Sequence, residues 1–148
     1  MRIIGGKFKN KKINFTKNIK TRPLKDSVRE NIFNILIHSN ILDIDFESLN
    51  VLDLYAGSGS FGIECLSRGA SNVVFVEKDL DALFNLKKNI NDINLSKNSK
   101  IISKDTNRFF NDIILENNKK FNIIFLDPPY KDKSFINCLK VIKKKDLL

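Results

Sequence analysis

The sequence predicts an α/β fold, a doubly wound and mostly parallel sheet preceded by a β-hairpin. Three observations carry that reading. Short apolar runs (Val51–Leu54, Val73–Val76, Phe121–Leu126) alternate with longer segments whose apolar residues recur at helical spacing. A glycine-rich turn, Gly57-Ser58-Gly59-Ser60-Phe61-Gly62, follows the first run and opens a helix. Four acids, Asp53, Glu77, Asp105 and Asp127, stand at or just beyond the ends of four predicted strands, and open α/β sheets bind ligands beyond the C-terminal ends of their strands.

Taken in order, Met1–Phe15 reads as a hairpin. Arg2-Ile3-Ile4 forms one arm and Lys11–Phe15 the other, with a turn over Lys7–Asn10 and a period-two alternation that sets Ile13 and Phe15 opposite Lys12 and Asn14. A lone hairpin is marginal in water, so it has to pack on the rest of the chain or close on a partner. Gly5-Gly6 is consistent with a bulge or with a close backbone approach. Pro23 biases Arg22 away from helix, and a helix is expected from about Leu24 to Ser39, with Val28, Ile32, Ile35 and Leu36 on one face and Lys25, Arg29 and Glu30 on the other.

After the glycine turn a helix is expected to run to about Arg68, stopped by Gly69. Val73–Val76 is a buried strand ending at Glu77. Asp79 caps a helix whose apolar face is Leu83, Leu86, Ile90 and Ile93. Lys100–Ser103 is a short strand, Phe109, Phe110, Ile113 and Ile114 mark a helix, Phe121–Leu126 is the fourth strand, and Lys133–Lys144 is a closing helix carrying Ile136, Cys138 and Leu139.

A length of 148 residues and 42% apolar content describe one globular domain with a substantial core. No apolar run approaches the roughly 20 residues that span a bilayer, and no signal-peptide pattern opens the chain, so a cytoplasmic protein without membrane contact is expected. Two isolated cysteines, Cys65 and Cys138, are expected as buried thiols. With a single histidine, His38, neither a Ser-His-Asp triad nor a metal site is supported.

The net charge of +9 is unevenly placed. Residues 1–30 hold ten Lys or Arg against two acids, and the remaining residues are nearly balanced. Base composition explains why Lys outnumbers Arg 21 to 5 but not why the cations crowd one end. Such an arm suits a polyanion, and Lys7, Lys9, Lys11, Lys12, Arg22 and Arg29 are the candidate nucleic-acid contacts.

The glycine turn alone leaves its ligand open. It matches the dinucleotide pattern G-x-G-x-x-G, with Glu77 at a suitable distance for a ribose. Two features pull away from a nicotinamide cofactor: Asp53 inside the strand, and a second motif, Asp127-Pro128-Pro129-Tyr130, after the fourth strand.

With those segments in view, the chain resembles the class I S-adenosylmethionine-dependent methyltransferases, which have a Rossmann-like core. More narrowly it resembles the RsmD family, which methylates a guanine N2 in 16S ribosomal RNA. The segments that carry the resemblance are M-R-I-I-G-G-K-F-K at Met1–Lys9, T-R-P at Thr21–Pro23, S-V-R-E-N-I-F-N-I-L at Ser27–Leu36, V-L-D-L-Y-A-G-S-G at Val51–Gly59, L-S-R-G-A at Leu66–Ala70 and L-D-P-P-Y at Leu126–Tyr130.

The resemblance implies S-adenosyl-L-methionine as cofactor. Asp53 and the Ala56-Gly57-Ser58-Gly59 turn would hold its methionine end, Glu77 its ribose hydroxyls and Asp105 its adenine amine. Asp127 and the Pro128 carbonyl would accept hydrogen bonds from the target amine, and Tyr130 would stack on the flipped base. It implies 16S rRNA or an assembling small ribosomal subunit as partner, no metal, and a monomer.

The chain divides into an arm (residues 1–20) and a core (residues 21–148). The family's fold continues past D-P-P-Y with further strands, whereas this sequence stops one helix later, so a C-terminally shortened sheet with its fourth strand at an exposed edge is expected. An adenine-N6 DNA methyltransferase, an NAD-dependent oxidoreductase and a non-catalytic RNA-binding fragment each share part of the pattern.

Overall fold

A computed structural model describes residues 1–15, 24–39, 44–112 and 120–148. Within these, helix α1 (Asp26–His38) leads to strand β1 (Asn50–Leu54), then α2 (Ser60–Ser67), β2 (Asn72–Glu77), α3 (Leu80–Asp92), β3 (Ser99–Ser103), α4 (Thr106–Asp112), β4 (Ile123–Leu126) and α5 (Phe135–Lys144). The four strands form one sheet in the order β3-β2-β1-β4, and every pairing is parallel. β1 is therefore central and its C-terminal end is flanked by those of β2 and β4. The register sets Leu54 beside Val76 and Leu126, so that Glu77 and Asp127 each begin the next step beyond it.

Helices cover both faces, as a doubly wound sheet requires. Val51, Val73 and Phe75 pack on one side with Phe33 of α1, Phe61 and Ile63 of α2 and Leu86 and Ile90 of α3. Leu52, Leu54 and Val76 pack on the other with Phe109 and Phe110 of α4 and Cys138 of α5. On the first face the rings of Phe33, Phe61 and Phe125 stack in succession, with centroids 5.2 and 3.9 Å apart, and the Arg68 guanidinium lies 4.6 Å from the Phe33 ring. This column joins α1, α2 and β4. The expected face of α3 is buried as read, and Asp79 caps that helix by accepting from the Ala82 N–H.

Two apolar faces differ from expectation. In α1 the inward residues are Arg29 and Phe33, with Ile32 and Leu36 half-buried; Val28 is exposed and Ile35 is 64% exposed. In α5 Cys138 is buried with Val141 and Ile142 beside it, while Ile136 and Leu139 face outward. β4 stands at a sheet edge with all four residues half-buried. Ile113 and Ile114 lie outside the described residues.

The N-terminal segment pairs as a hairpin, with one antiparallel bridge between Arg2 and Lys12 and hydrogen bonds that include Ile3 N to Lys11 O (2.9 Å) and Ile13 N to Met1 O (3.0 Å). It is laid along α2, and Ile3 and Ile13 belong to the core. Its anchor is Glu64, a fully buried carboxylate in the middle of α2. Glu64 Oε2 accepts from Ile4 N (2.8 Å), and Oε1 accepts from Gly5 N (2.7 Å) and from Arg68 Nε (2.9 Å). Arg29 Nε lies 3.7 Å away in an ion pair. Gly6 has φ +74°, and a Cβ there would stand 1.9 Å from the Ser67 carbonyl oxygen. Gly6 therefore serves a close approach of the two backbones, while Gly5 leaves room for the Arg68 guanidinium.

Arg29 is a correction to the expected RNA contacts. Its side chain is 0% exposed, paired with Glu64 and Asp26, and it donates to the Arg2 carbonyl. Burial lowers its pKa, against the raising effect of the two acids. Burying a cation demands a fixed anion beside it, which is why Arg29 points inward at Glu64.

Removing one member of a buried charge pair strands the other. Glu64→Ala is expected to lower stability by about 3–5 kcal/mol in denaturant unfolding, and hydrogen exchange should show the Ile4 and Gly5 amides losing protection ahead of the rest of the sheet.

Candidate active site at the strand ends

The C-terminal ends of β2, β1 and β4 bring together three of the four acids read from the sequence. Their roles differ. Asp53, on β1, is 2% exposed, and its Oδ2 accepts from the N–H of Gly62 at 3.0 Å. That N–H is among the orphan donors at the start of α2, so a carboxylate from inside the sheet caps the helix from below. Burial raises the Asp53 pKa to about 7, offset by the Gly62 hydrogen bond and reinforced by Asp127 and Glu77.

Glu77 ends β2 and folds back over the glycine turn. Its Oε2 accepts from Gly57 N (2.7 Å), and its Oε1 from Lys78 N (2.8 Å) and Asp79 N (2.9 Å). Two residues of the turn need backbone angles that suit glycine, Gly57 (φ +56°) and Gly59 (φ +84°). A Cβ on Gly57 would meet nothing within 4 Å, so its outer side is open to a ligand. A Cβ on Gly59 would strike Leu86 Cδ1 at 2.4 Å, and one on Gly62 would strike the Phe75 ring at 2.3 Å, so these two glycines let α2 approach α3 and β2. Ala56 closes the turn through its carbonyl, which accepts from Gly59 N (2.8 Å).

Asp105 precedes α4, and its Oδ1 accepts from Arg108 N (3.0 Å). That hydrogen bond is the main cause of its lowered pKa, with the Arg108 charge adding to it. It is thus a helix cap in this structure, with Oδ2 turned toward Arg108 Nε (3.5 Å).

Asp127 follows β4. The residue reaches solvent, while the atoms packed against its carboxyl raise its pKa. The Pro129 carbonyl accepts from Asp132 N (2.7 Å) in a β-turn over Pro129–Asp132 that holds Tyr130 wholly outward, 104% exposed.

The candidate RNA contacts separate in space. Lys7, Lys9, Lys11 and Lys12 are exposed, and the ammonium groups of Lys7 and Lys11 lie 5.7 and 5.4 Å from the centroid of the Phe8 ring. Lys7 N donates to the Ser67 carbonyl, at the end of α2 remote from the glycine turn. The hairpin thus meets α2 at the end one helix length, about 12 Å, from the glycine turn. Arg22 lies outside the described residues.

Sequence reasoning missed three contributors. Glu64 offers only an i,i+4 pairing with Arg68 as a local signal, because the backbone N–H groups it anchors are 59 and 60 residues away. Asn89, 3% exposed on α3, donates to the Ser58 carbonyl (3.0 Å) and exchanges hydrogen bonds with Asn14, tying the glycine turn to the end of the hairpin. Tyr55, between β1 and the glycines, has φ +60°, uncommon for an aromatic residue, and its hydroxyl has three polar neighbours. Among the described residues no group of three or more His, Cys, Asp or Glu is placed to hold a metal ion, and no helix is long and apolar enough to cross a membrane. Cys65 and Cys138 are both free and buried.

Residues 1–148 match the model of a protein family described as Conserved hypothetical protein 95. Ribosomal RNA small subunit methyltransferase D of Buchnera aphidicola subsp. Acyrthosiphon pisum is 35% identical, over 99% of this chain and 74% of its own length. The candidate rRNA methyltransferase YlbH of Bacillus subtilis is 34% identical, over all of this chain and 77% of its own. Among solved structures, the candidate methyltransferase yhhF of Escherichia coli superposes with a TM-score of 0.79 at 28% identity, covering 98% of this chain and 73% of that one.

The Asp53 carboxyl gives a pH signature. Its folded-state pKa, about 7, lies above the ordinary 3.8, so the folded chain binds more protons between those values and loses stability as pH rises through them. Asp53→Asn keeps an acceptor for Gly62 and removes the charge. It is expected to stabilise the fold at pH 8 by up to about 4 kcal/mol, with the advantage shrinking to nothing near pH 4. Unfolding curves at several pH values check this, and a variant whose advantage does not vary with pH would contradict the assignment.

Proposed function

The chain belongs to the small-subunit ribosomal RNA methyltransferase D family, and we propose that it transfers a methyl group from S-adenosyl-L-methionine to the exocyclic N2 amine of a guanine in 16S ribosomal RNA. The observation that carries the reading is one of placement. The Glu77–Gly57 corner and the Asp127–Tyr130 segment flank the same end of β1, on strands paired with it in parallel register. A cofactor corner and an amine-binding motif thus share one sheet edge. The relatives named for ribosomal RNA methylation favour RNA over DNA as substrate.

The residues present fit the cofactor. The open side of Gly57 admits a ligand to the main chain. Glu77 sits at the rim as an acceptor whose Oε2 takes only one of the three backbone hydrogen bonds, leaving capacity for a ribose hydroxyl. Asp105 stands beyond β3 on the same edge and would take the adenine amine. The Ala56–Gly59 turn would take the methionine end, with Asp53 acting from beneath by fixing the start of α2. When bound, the cofactor supplies an electrophilic methyl group on a sulfonium.

The chain's own part in the chemistry is placement and electrostatics. An exocyclic amine is a weak nucleophile because its lone pair is delocalised into the ring. The Asp127 carboxylate and the Pro128 carbonyl accept its N–H bonds, draw the nitrogen out of conjugation and stabilise the positive charge that develops on it. The solvent-facing side of Asp127 offers the displaced proton a route to water. Tyr130, fully exposed, presents a ring on which the flipped base stacks. The hairpin lysines engage phosphates of RNA flanking the target, since the hairpin meets α2 a helix length from the glycine turn. The substrate is 16S rRNA alone or within an assembling small subunit, and the protein acts in this reading as a cytoplasmic monomer without a metal.

Asp127→Ala is expected to abolish methyl transfer to 16S rRNA while leaving S-adenosyl-L-methionine affinity within about twofold, because none of the turn's hydrogen bonds involves Asp127. Nucleoside analysis of the wild-type product should give N2-methylguanosine. Methyladenosine, or loss of cofactor binding in the variant, would overturn the reading.

Neutralising Lys7, Lys9, Lys11 and Lys12 together is expected to weaken RNA binding to a similar degree across sequences. The log–log salt slope should fall by roughly 0.7–0.9 for each phosphate that the hairpin no longer neutralises. Affinity measured at several salt concentrations tests this, and an unchanged slope would show that the hairpin does not touch the RNA.

A further inference from the structure

Tyr55 serves neither as a cofactor contact nor as a base contact in the proposed reaction, yet both its backbone and its hydroxyl are held in place. Its backbone sits in the left-handed region at φ +60°, where a bulky side chain is uncommon. Its ring is carried toward the face covered by α4 and α5. There the Thr106 hydroxyl donates to Tyr55 Oη at 3.1 Å, the hydroxyls of Tyr55 and Ser134 share a hydrogen bond of 2.7 Å, and Cys138 Sγ lies 3.7 Å away.

Those partners stand at or near the starts of the two helices that follow the site loops: Thr106 opens α4, Ser134 directly precedes α5 and Cys138 lies in its first turn. Thr106 adjoins Asp105. Ser134 closes the segment that begins at Asp127, and its own N–H donates to Asp132 Oδ1 (2.8 Å), while Asp132 N donates to the Pro129 carbonyl (2.7 Å). A continuous run of hydrogen bonds therefore leads from the Tyr55 hydroxyl to the turn that presents Tyr130. Tyr130 has no packing of its own to fix it, since it is fully exposed. Its position is set by the turn beneath it, and that turn is tied to the sheet through Ser134.

We propose that the Tyr55 hydroxyl is a positioning group for the acceptor nucleotide: it holds the Pro129–Asp132 turn, and with it Tyr130, at a fixed place relative to the end of β1. The inference rests on the proposed methyl transfer for its kinetic consequence, but not for its structural one. Cofactor binding should be nearly independent of this hydroxyl, because Asp105 is fixed separately by the Arg108 N–H and Glu77 by three others.

The test is Tyr55→Phe, which keeps the ring, with Ser134→Ala as its partner variant and the double variant completing a cycle. In Tyr55→Phe, hydrogen exchange at the Asp132 and Ser134 amides should quicken roughly tenfold or more while the β1 amides stay protected. Methyl transfer to 16S rRNA should fall roughly 2- to 12-fold, the scale of removing one neutral hydrogen bond from a positioned group. S-adenosyl-L-methionine affinity should stay within about twofold, and the double variant should be no worse than either single one, as expected for members of one network. Unchanged exchange at Asp132 and Ser134 would overturn the proposal, as would a loss of cofactor affinity matching the loss of transfer. Should the wild-type chain transfer no methyl group, the proposed function fails, and the exchange measurement alone still decides whether Tyr55 holds the turn.

Discussion

One buried carboxylate organises the assembly. Glu64 lies in the middle of α2 with no exposure to solvent; two backbone N–H groups of the hairpin and the Arg29 guanidinium of α1 meet it from elsewhere in the chain, and Arg68 meets it from one turn further along. A lone ionised acid at such a depth is strongly unfavourable, and only several donors with good geometry make it tolerable. The consequence is specificity of placement. The hairpin cannot slide along α2 without stranding the charge, and α1 cannot roll without withdrawing Arg29 from it. Packing of Ile3, Ile13 and Phe33 supplies apolar burial on either side, while the carboxylate fixes the register.

The same principle shapes the site. Asp53 and Glu77 both commit hydrogen-bonding capacity to the glycine turn, one from beneath through Gly62 and one from the rim through Gly57. A turn with open space above it and acceptors beside it is thereby held ready without a ligand to order it. Preorganisation of this kind avoids loss of conformational freedom at the moment of binding. It also explains why an acid is found inside β1, where an apolar residue would pack more favourably.

Much of this is legible in the sequence, for identifiable reasons. The alternation of elements, the α3 face, the Asp79 cap and the positions of the strand-end acids follow from local periodicity and end signals, which depend on residues a few places apart. What is not legible depends on pairing across distance. Arg29 reads as a surface cation when its charge is given more weight than its spacing. Yet Arg29, Ile32, Phe33 and Leu36 form a single stripe at helical intervals, and that stripe is the inward one. Val28 and Ile35 are misplaced with it. Asp105 shows the converse: its commonplace role as a cap is present in the structure, and any ligand contact is added to that role. Little near Glu64, Asn89 or Tyr55 announces their partners: apart from Arg68, one turn from Glu64, those partners lie between 31 and 83 residues away.

The separation between the hairpin and its anchor also bears on how the chain is made. Ile4 is synthesised 60 positions ahead of its partner Glu64. At a translation rate of about 5–20 residues per second, the hairpin waits roughly 3–12 s for the helix it packs on. During that interval Ile3 and Ile13 lack their core neighbours, and two strands alone are marginally stable in water. Lys7, Lys9, Lys11 and Lys12, between Ile3 and Ile13 in the sequence, give the waiting segment a charged character. Charge of this kind opposes pairing of an uncovered hairpin with other chains until β1 and α2 arrive to receive it.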